Sequence, residues 1–131
     1  MHSYGTNGAD IFISRWKYYT NVGNWAQRVG ITAETEYVLQ ATSWGLMQVM
    51  GSVARELGFS KSLVEMLKPR NSVFYGCKKL KQLRSRYSKE SDIIAAYNAG
   101  SVIMKQSGMY MNQGYVDKVW QHLHRLRQLN S

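Results

Sequence analysis

Two short stretches of the sequence carry polar side chains that packing alone does not require. Gln48 lies within the otherwise apolar run "SWGLMQVM" of residues 43–50, and a buried amide must find hydrogen-bond partners or it costs free energy. It is therefore hydrogen-bonded to the backbone, faces a polar ligand, or lies at a helix surface in water. Tyr97 and Asn98, within "AAYNAG", offer a hydroxyl and an amide beside small residues that let another segment approach closely. A tyrosine packed on the core and an asparagine that ends a helix would give the same pattern.

Carboxylic acids form the third group, because cleavage of a glycosidic bond requires an acid of raised pKa beside the leaving oxygen, often with a second carboxylate. The available acids are Asp10, Glu34, Glu36, Glu56, Glu65, Glu90, Asp92 and Asp117. Glu34 and Glu36 lie where a helix is expected to begin, and the helix dipole favours acids in a first turn. A structural role is therefore favoured over catalysis for either residue taken singly.

The elements that must position these residues are helical. Apolar residues recur at three- and four-residue steps along most of the chain, and no run of alternating β-branched residues predicts a strand. The predicted helices cover residues 9–19, 31–40 with Thr32 as N-cap, 43–57, 61–68, 71–87, 91–99 and 115–129. The sequence thus predicts an all-α fold and a single domain over residues 1–131.

Buried stripes and loops complete this prediction. In the helix 71–87 the predicted buried stripe is Val73, Cys77, Leu80, Leu83 or Arg84, and Tyr87. In the last helix it is Val116, Val119, Trp120, Leu123, and Leu126 or Arg127. Loops are predicted over residues 101–114 and around Asn21, Gly23 and Asn24, and Gly58 and Gly100 are predicted to end helices.

Charge and composition limit the partners. Lys and Arg outnumber Asp and Glu by 17 to 8, for a formal net charge of +9, which predicts attraction to nucleic acid, anionic membrane or bacterial cell wall. The basic run "KKLKQLRSRY" lacks an accompanying nucleic-acid-binding motif, so no nucleic acid is expected as partner. Cys77 is the only cysteine, and His122 and His124 are two residues apart, so no metal or other cofactor is expected. No signal peptide or membrane-spanning run is recognised, which predicts synthesis in the cytoplasm.

Four blocks of the sequence, taken together, resemble the soluble lytic transglycosylase (SLT) domain, and particularly its short bacteriophage forms. These blocks are "SWGLMQVMGSVARELGF", "NSVFYGCKKLKQL", "SDIIAAYNAG" and "NQGYVDKV", and the resemblance extends from Ile31 to Leu126. It implies a lysozyme-like α-helical fold with a groove that holds the glycan strands of peptidoglycan. The family cleaves the MurNAc–GlcNAc β-1,4 bond without water and leaves a 1,6-anhydro end.

The resemblance also implies roles for individual residues. Gln48 and Met50 match positions that line the groove. Tyr97 matches a tyrosine near the catalytic acid, Asn98 the asparagine beside it, and Tyr115 an aromatic residue near the groove. In the family a single glutamic acid protonates the glycosidic oxygen and then, as a carboxylate, removes the proton from the muramoyl O6, which attacks the anomeric carbon.

The position of that acid is where the sequence departs from the family. The catalytic glutamate normally lies in an "ES" motif upstream of "GLMQ", whereas the only Glu-Ser pair here, Glu90–Ser91, lies downstream. Glu36, or Glu34, is one candidate acid. Alternatively, another phage protein supplies a segment that this chain lacks, or the domain binds glycan without cleaving it. These last two interpretations fit the residues best, because Glu34 and Glu36 occupy family positions that are not normally catalytic.

The sequence therefore predicts a phage or prophage lytic transglycosylase that reaches the cell wall through a holin-type lesion or as a component of the virion. Its predicted catalytic residues are Glu36 and Tyr97. A catalytically incomplete peptidoglycan-binding or virion structural module, or one half of a split enzyme, is the alternative. A nucleic-acid-binding helical domain is a weaker one.

Overall fold

A computed structural model describes residues 19–130, which form two compact units, residues 19–78 and 79–130. The first unit contains α1 (Val22–Val29), α2 (Ala33–Gln40), β1 (Ser43–Trp44), β2 (Val49–Met50), α3 (Gly51–Glu56) and a 3₁₀ helix (Leu63–Leu67). The boundary falls within α4 (Pro69–Arg86), and the second unit continues with α5 (Glu90–Ala99) and α6 (Gln113–Leu129). The all-α prediction is confirmed. The helix predicted over residues 9–19 lies, except for Tyr19, outside the described residues.

Helix α1 forms where the sequence predicted a loop, so the loop expected around Asn21, Gly23 and Asn24 is wrong from Val22 onward. Val22 and Ala26, one helical turn apart, are both buried. The glycine and asparagine that suggested a loop are exposed, where their low helix propensity costs little against the packing of the buried stripe.

The residues that begin and end helices are predicted more accurately. Thr32 caps α2, since its Oγ1 accepts a hydrogen bond from the Thr35 N–H at 3.1 Å. Gly100 ends α5 with a φ of 88°, and its N–H donates to the Ala96 carbonyl at 2.8 Å. Both predictions are confirmed, because a cap depends on residues that are close together in the sequence.

The helix predicted over residues 43–57 is wrong in its first half. Strands β1 and β2 pair in antiparallel fashion, with Ser43 opposite Met50, and only then does α3 begin. The turn that joins the strands contains two residues of positive φ, 73° at Gly45 and 49° at Gln48. A right-handed helix does not include these conformations, so helical structure starts only after the hairpin.

The core of the first unit lies between the hairpin, α3 and the 3₁₀ helix. Its buried apolar residues are Val49, Ala54, Phe59, Leu63 and Met66, against which Leu39, Trp44, Met47, Val53 and Tyr75 pack. The two hairpin strands contribute Val49 and Trp44 and the turn contributes Met47, so the hairpin is anchored in the core. Among the described helices, none combines the length and apolar character that a bilayer span requires.

The buried stripe predicted for α4 is displaced by about one residue from the one observed. Val73 is 45% exposed and Cys77 is exposed. The buried positions are Ser72, Gly76, Lys79 and Leu83, of which Leu83 was predicted, and the predicted Leu80 and Tyr87 are half-buried. The prediction is wrong at Val73 and Cys77 because it followed residue hydrophobicity, whereas small residues at this face allow a close approach that larger ones would prevent.

The second unit is built from α5, α6 and the segment between them. Ala95, Tyr110 and Val116 form its buried core, and Trp120 packs against them. The loop predicted over residues 101–114 is confirmed for its larger part, with a single bridge between Met104 and Tyr110 and α6 beginning at Gln113. The predicted α6 stripe is correct from Val116 to Leu123, but wrong at Leu126, which is 56% exposed.

Candidate functional site

Gln48 lies at the end of the hairpin turn and is exposed, not inside a helix. Its backbone N–H donates to the Gly45 carbonyl at 3.1 Å, and its side-chain Nε2 donates to the same oxygen at 2.8 Å. The side chain thus stabilises the turn on which it is carried. Since this contact uses only the nitrogen end of the amide, the exposed Oε1 presents an acceptor to solvent or to a ligand.

The turn is held in place by contacts that require glycine at its start. A Cβ added at Gly45 would lie 2.5 Å from the Ser72 Oγ and 2.6 Å from the Met66 carbonyl oxygen. The Ser72 Oγ in turn accepts a hydrogen bond from the Met47 N–H at 2.8 Å. The turn therefore packs directly against the start of α4 and the end of the 3₁₀ helix, and its conformation is determined by residues distant in sequence.

Met50 ends the hairpin and lies on the other side of the strand pair from the core. It is half-buried, and its Sδ accepts a hydrogen bond from the Ser43 hydroxyl at 3.2 Å. Gln48 and Met50 are thus brought together in one hairpin, where an amide and a thioether lie two residues apart.

Glu36, the predicted catalytic acid, lies on α2 and is completely buried. Its Oε2 accepts from the Arg55 Nε at 2.9 Å, and its Oε1 accepts from the Arg55 Nη2 at 3.0 Å. The Oε2 also accepts from the Gln40 Nε2 at 2.7 Å. Both carboxylate oxygens are therefore occupied by donors, in the bidentate geometry typical of a strong charge-assisted pair.

Arg55, the partner of Glu36, is itself almost completely satisfied within the first unit. Its Nη1 donates to the carbonyls of Phe59 at 2.9 Å and Lys61 at 2.6 Å. Its guanidinium lies 4.4 Å from the centre of the Trp25 ring, a cation–π distance. Arg55 consequently ties together α1, α2 and the segment that follows α3.

Each of the other described acids either is paired with a neighbouring side chain or is exposed. A proton donor of raised pKa is instead expected to be a buried carboxyl. Lys68 lies 2.8 Å from Glu65 and lowers the pKa of that carboxyl. Asp92 accepts from the Tyr110 hydroxyl, and Asp117 accepts from the side-chain amide of Gln113. The remaining three, Glu34, Glu56 and Glu90, are exposed.

Tyr97 lies near the end of α5 in the second unit and is half-buried. The Nζ of Lys79 donates to the Tyr97 carbonyl at 2.7 Å and lies 4.1 Å from the centre of its ring. Lys79 is 9% exposed, and this burial lowers the pKa of its ammonium group. The lysine thus holds both the backbone and the ring of the tyrosine.

Asn98 follows Tyr97 and is exposed. Its Oδ1 accepts a hydrogen bond from the Asn112 Nδ2 at 2.8 Å, and the same Nδ2 donates to the Ala95 carbonyl at 3.0 Å. The end of α5 therefore carries an ordered pair of amides beside the tyrosine.

Two further tyrosines follow Asn98 in the chain. Tyr115 lies in the first turn of α6 and is half-buried, and this burial raises the pKa of its phenol. Tyr110 is buried, and burial together with the hydrogen bond to Asp92 raises the pKa of Tyr110 to about 12. Tyr110 stays protonated at neutral pH and donates to Asp92, so it serves the core of this unit.

The predicted site residues thus fall into two groups. The first unit holds Glu36, Gln48 and Met50, with Glu36 turned into the core and Gln48 turned outward. The second unit holds Tyr97, Asn98 and Tyr115. Sequence reasoning missed Arg55, Gln40, Lys79 and Asn112. Arg55 alone gave a signal, as the first charge after a long apolar stretch.

The second unit also contains a cavity of about 680 Å³. It is lined by Leu80, Arg84, Tyr87, Ser88, Glu90, Ile93, Ile94, Val119 and Leu123, none of which is a predicted site residue. Within residues 19–130, no cluster of three or more His, Cys, Asp or Glu side chains is suited to hold a metal ion.

Comparison with known families gives one match. The family model described as the transglycosylase SLT domain matches residues 22–115, which is more than half of the chain and includes every predicted site residue. Comparisons with curated proteins and with solved structures gave no match.

Proposed function

Because the chain belongs to the transglycosylase SLT domain family, we propose that it binds the glycan strands of bacterial peptidoglycan and acts in their cleavage as a lytic transglycosylase. The bond cleaved is the β-1,4 bond between MurNAc and GlcNAc, with a 1,6-anhydro product. The observation that carries this proposal is the family match over residues 22–115. We take these residues to act as part of one domain.

Two exposed amides support glycan binding in this proposal. Gln48 presents its amide on the hairpin turn, and Asn98 presents another at the end of α5. Sugar hydroxyl and acetamido groups are neutral donors and acceptors, which side-chain amides can pair with. The half-buried Met50 and Tyr115 would add apolar contact, and the formal net charge of +9 would draw the chain to an anionic wall.

Glu36 has a structural role in this proposal, and it is not the proton donor. A general acid must lie within hydrogen-bond reach of the leaving oxygen and must carry a proton. Glu36 is completely buried, and both of its oxygens accept hydrogen bonds from Arg55.

We propose that Tyr97, held by Lys79, lies beside the reacting sugar.

A second candidate function is glycan binding without cleavage by this chain alone. The burial of Glu36 favours it, because Glu36 then does not supply the acid that the proposed cleavage requires. In this case a second protein, such as another phage product, would supply the acid. The resemblance to short bacteriophage forms leads us to propose phage or prophage origin, with access to the wall through a holin-type lesion or from the virion.

Digestion of purified sacculi tests these proposals. The unmodified chain is expected to release anhydro-muropeptides, detected by mass spectrometry, and Glu36→Gln is expected to release the same products in proportion to its folded fraction. Glu34→Gln, on the exposed face of the same helix, is the matched variant. Loss of products in folded Glu36→Gln would contradict the structural role. Binding of the unmodified chain without products would replace the first function by the second.

A further inference from the structure

Asn112 holds the side chain of Asn98 in a single orientation. The Nδ2 of Asn112 donates to the backbone carbonyl of Ala95 at 3.0 Å. A backbone carbonyl only accepts hydrogen bonds, so the nitrogen end of the Asn112 amide must face Ala95. The same nitrogen lies 2.8 Å from Asn98, and therefore Asn98 must turn its oxygen toward it.

This chain of contacts determines what Asn98 offers to a ligand. With its Oδ1 turned toward Asn112, the end of the Asn98 amide that has no partner is the NH₂, which only donates. Asn98 is exposed, and within residues 19–130 the structure gives its Nδ2 no hydrogen bond. Asn112 is half-buried and precedes α6, and its own carbonyl accepts from the Tyr115 N–H at 3.0 Å. Its position is thus fixed by two helices.

We propose that Asn112 is a positioning residue that makes Asn98 a dedicated hydrogen-bond donor, and that this donor binds the carbonyl oxygen of an acetamido group on the glycan. This inference rests on the proposed function. A sugar hydroxyl both donates and accepts, so it can pair with either end of the Asn98 amide. Binding of a hydroxyl therefore does not depend on which end the amide presents. An acetamido carbonyl only accepts, whereas the ammonium group of a de-N-acetylated sugar only donates. The Asn112–Asn98 pair therefore selects N-acetylated sugars.

Substitution of Asn112 by aspartate tests this inference, because it reverses the polarity of the pair. The carboxylate of Asn112→Asp accepts hydrogen bonds, so Asn98 is expected to turn its NH₂ inward and expose its oxygen. Affinity for the N-acetylglucosamine tetramer, measured by calorimetry, is expected to fall about tenfold. Asn112→Ala leaves Asn98 free to rotate, and a fall of about threefold is expected. Asn130→Asp, an exposed residue that adds the same charge, is the control.

A double-mutant cycle separates positioning from a general structural effect. In an Asn98→Ala background, Asn112→Asp is expected to change the affinity by less than about twofold, since the group that it reorients is gone. An equal loss in both backgrounds would overturn the inference. So would unchanged binding of Asn112→Asp in the presence of Asn98.

The outcome also distinguishes this inference from the proposed function. If the unmodified chain binds the tetramer and sacculi but is indifferent to Asn112→Asp, only the inference fails. If the unmodified chain binds neither the tetramer nor sacculi, the proposed function fails and the inference falls with it. Side-chain amide resonances of Asn98 that shift when the tetramer is added would support the direct contact.

Discussion

Substitution of Arg55 by methionine is expected to lower the free energy of unfolding by about 3–5 kcal/mol. The guanidinium lies in the core of the first unit, where it pairs with both oxygens of Glu36 and with two backbone carbonyls. Methionine keeps an apolar stem of similar size but loses the guanidinium that lies over the Trp25 ring. The substitution leaves the Glu36 carboxylate completely buried without its cation. The cost of this unpaired charge is the largest contribution to the expected loss of unfolding free energy. Urea denaturation followed by circular dichroism measures the change.

Arg28 provides the matched control for this prediction. It is exposed and its guanidinium lies 4.7 Å from the centre of the same Trp25 ring. Arg28→Met is expected to cost about 0.5–1 kcal/mol. The double variant Glu36→Met with Arg55→Met is expected to be more stable than Arg55→Met alone, because it removes the unpaired charge. An Arg55→Met protein as stable as Arg28→Met would show that the pair does not hold this unit.

Substitution of Gly51 by alanine is the other change with a large expected effect, about 3 kcal/mol of lost unfolding free energy. The new Cβ would lie 2.3 Å from the Leu39 carbonyl oxygen and 2.8 Å from the Gln40 Cα. Both are backbone atoms of α2, which cannot move aside as the end of a side chain can. Because Gly51 directly follows the hairpin, the clash is expected to displace α3 from α2.

Gly114 is the control, since it lies in the first turn of α6 and a Cβ there meets nothing within 4 Å. Gly114→Ala is expected to raise the unfolding free energy by about 0.5–1 kcal/mol through reduced freedom of the unfolded chain. Gly76→Ala is expected to fall between the two, because the three atoms nearest to its Cβ all belong to the flexible Met47 side chain. Thermal unfolding of the three variants would contradict this account if Gly51→Ala were the mildest.

The predictable parts of the fold are those that depend on neighbouring residues. Thr32 begins α2 and Gly100 ends α5, each through a hydrogen bond within four residues along the chain. Helix α6 is predicted well for the same reason, since Val116 and Trp120 repeat at helical spacing. Local patterns of this kind carry the all-α prediction.

The sequence predicts a helix at the hairpin because the apolar residues there also suit a helix and no turn dipeptide marks the turn. The conformation depends on a close approach to Ser72 and Met66 that only Gly45 permits. These partners lie more than twenty residues further along the chain. Sequence periodicity contains no information about contacts at that separation.

The candidate site residues also differ in how far they can be predicted from the sequence. Exposed Gln48 and Asn98 were found through motifs whose chemistry is local. The ion pair of Glu36 joins residues 19 positions apart, so sequence alone could not distinguish an acid in a solvated first turn from one in the core. Asn112 was missed because its importance lies in what it does to Asn98, which only the hydrogen-bond geometry reveals.

Co-sedimentation with purified peptidoglycan sacculi tests the central claim of glycan binding most directly. The unmodified chain is expected to sediment with sacculi, and the double variant Gln48→Ala with Asn98→Ala is expected to bind at least about tenfold more weakly while it remains folded, which thermal unfolding checks. The matched control removes two exposed amides elsewhere, Asn24→Ala with Gln82→Ala, and is expected to bind as the unmodified chain does. If both double variants bind equally and added salt alone abolishes the binding, the interaction is only electrostatic. That result would contradict the account.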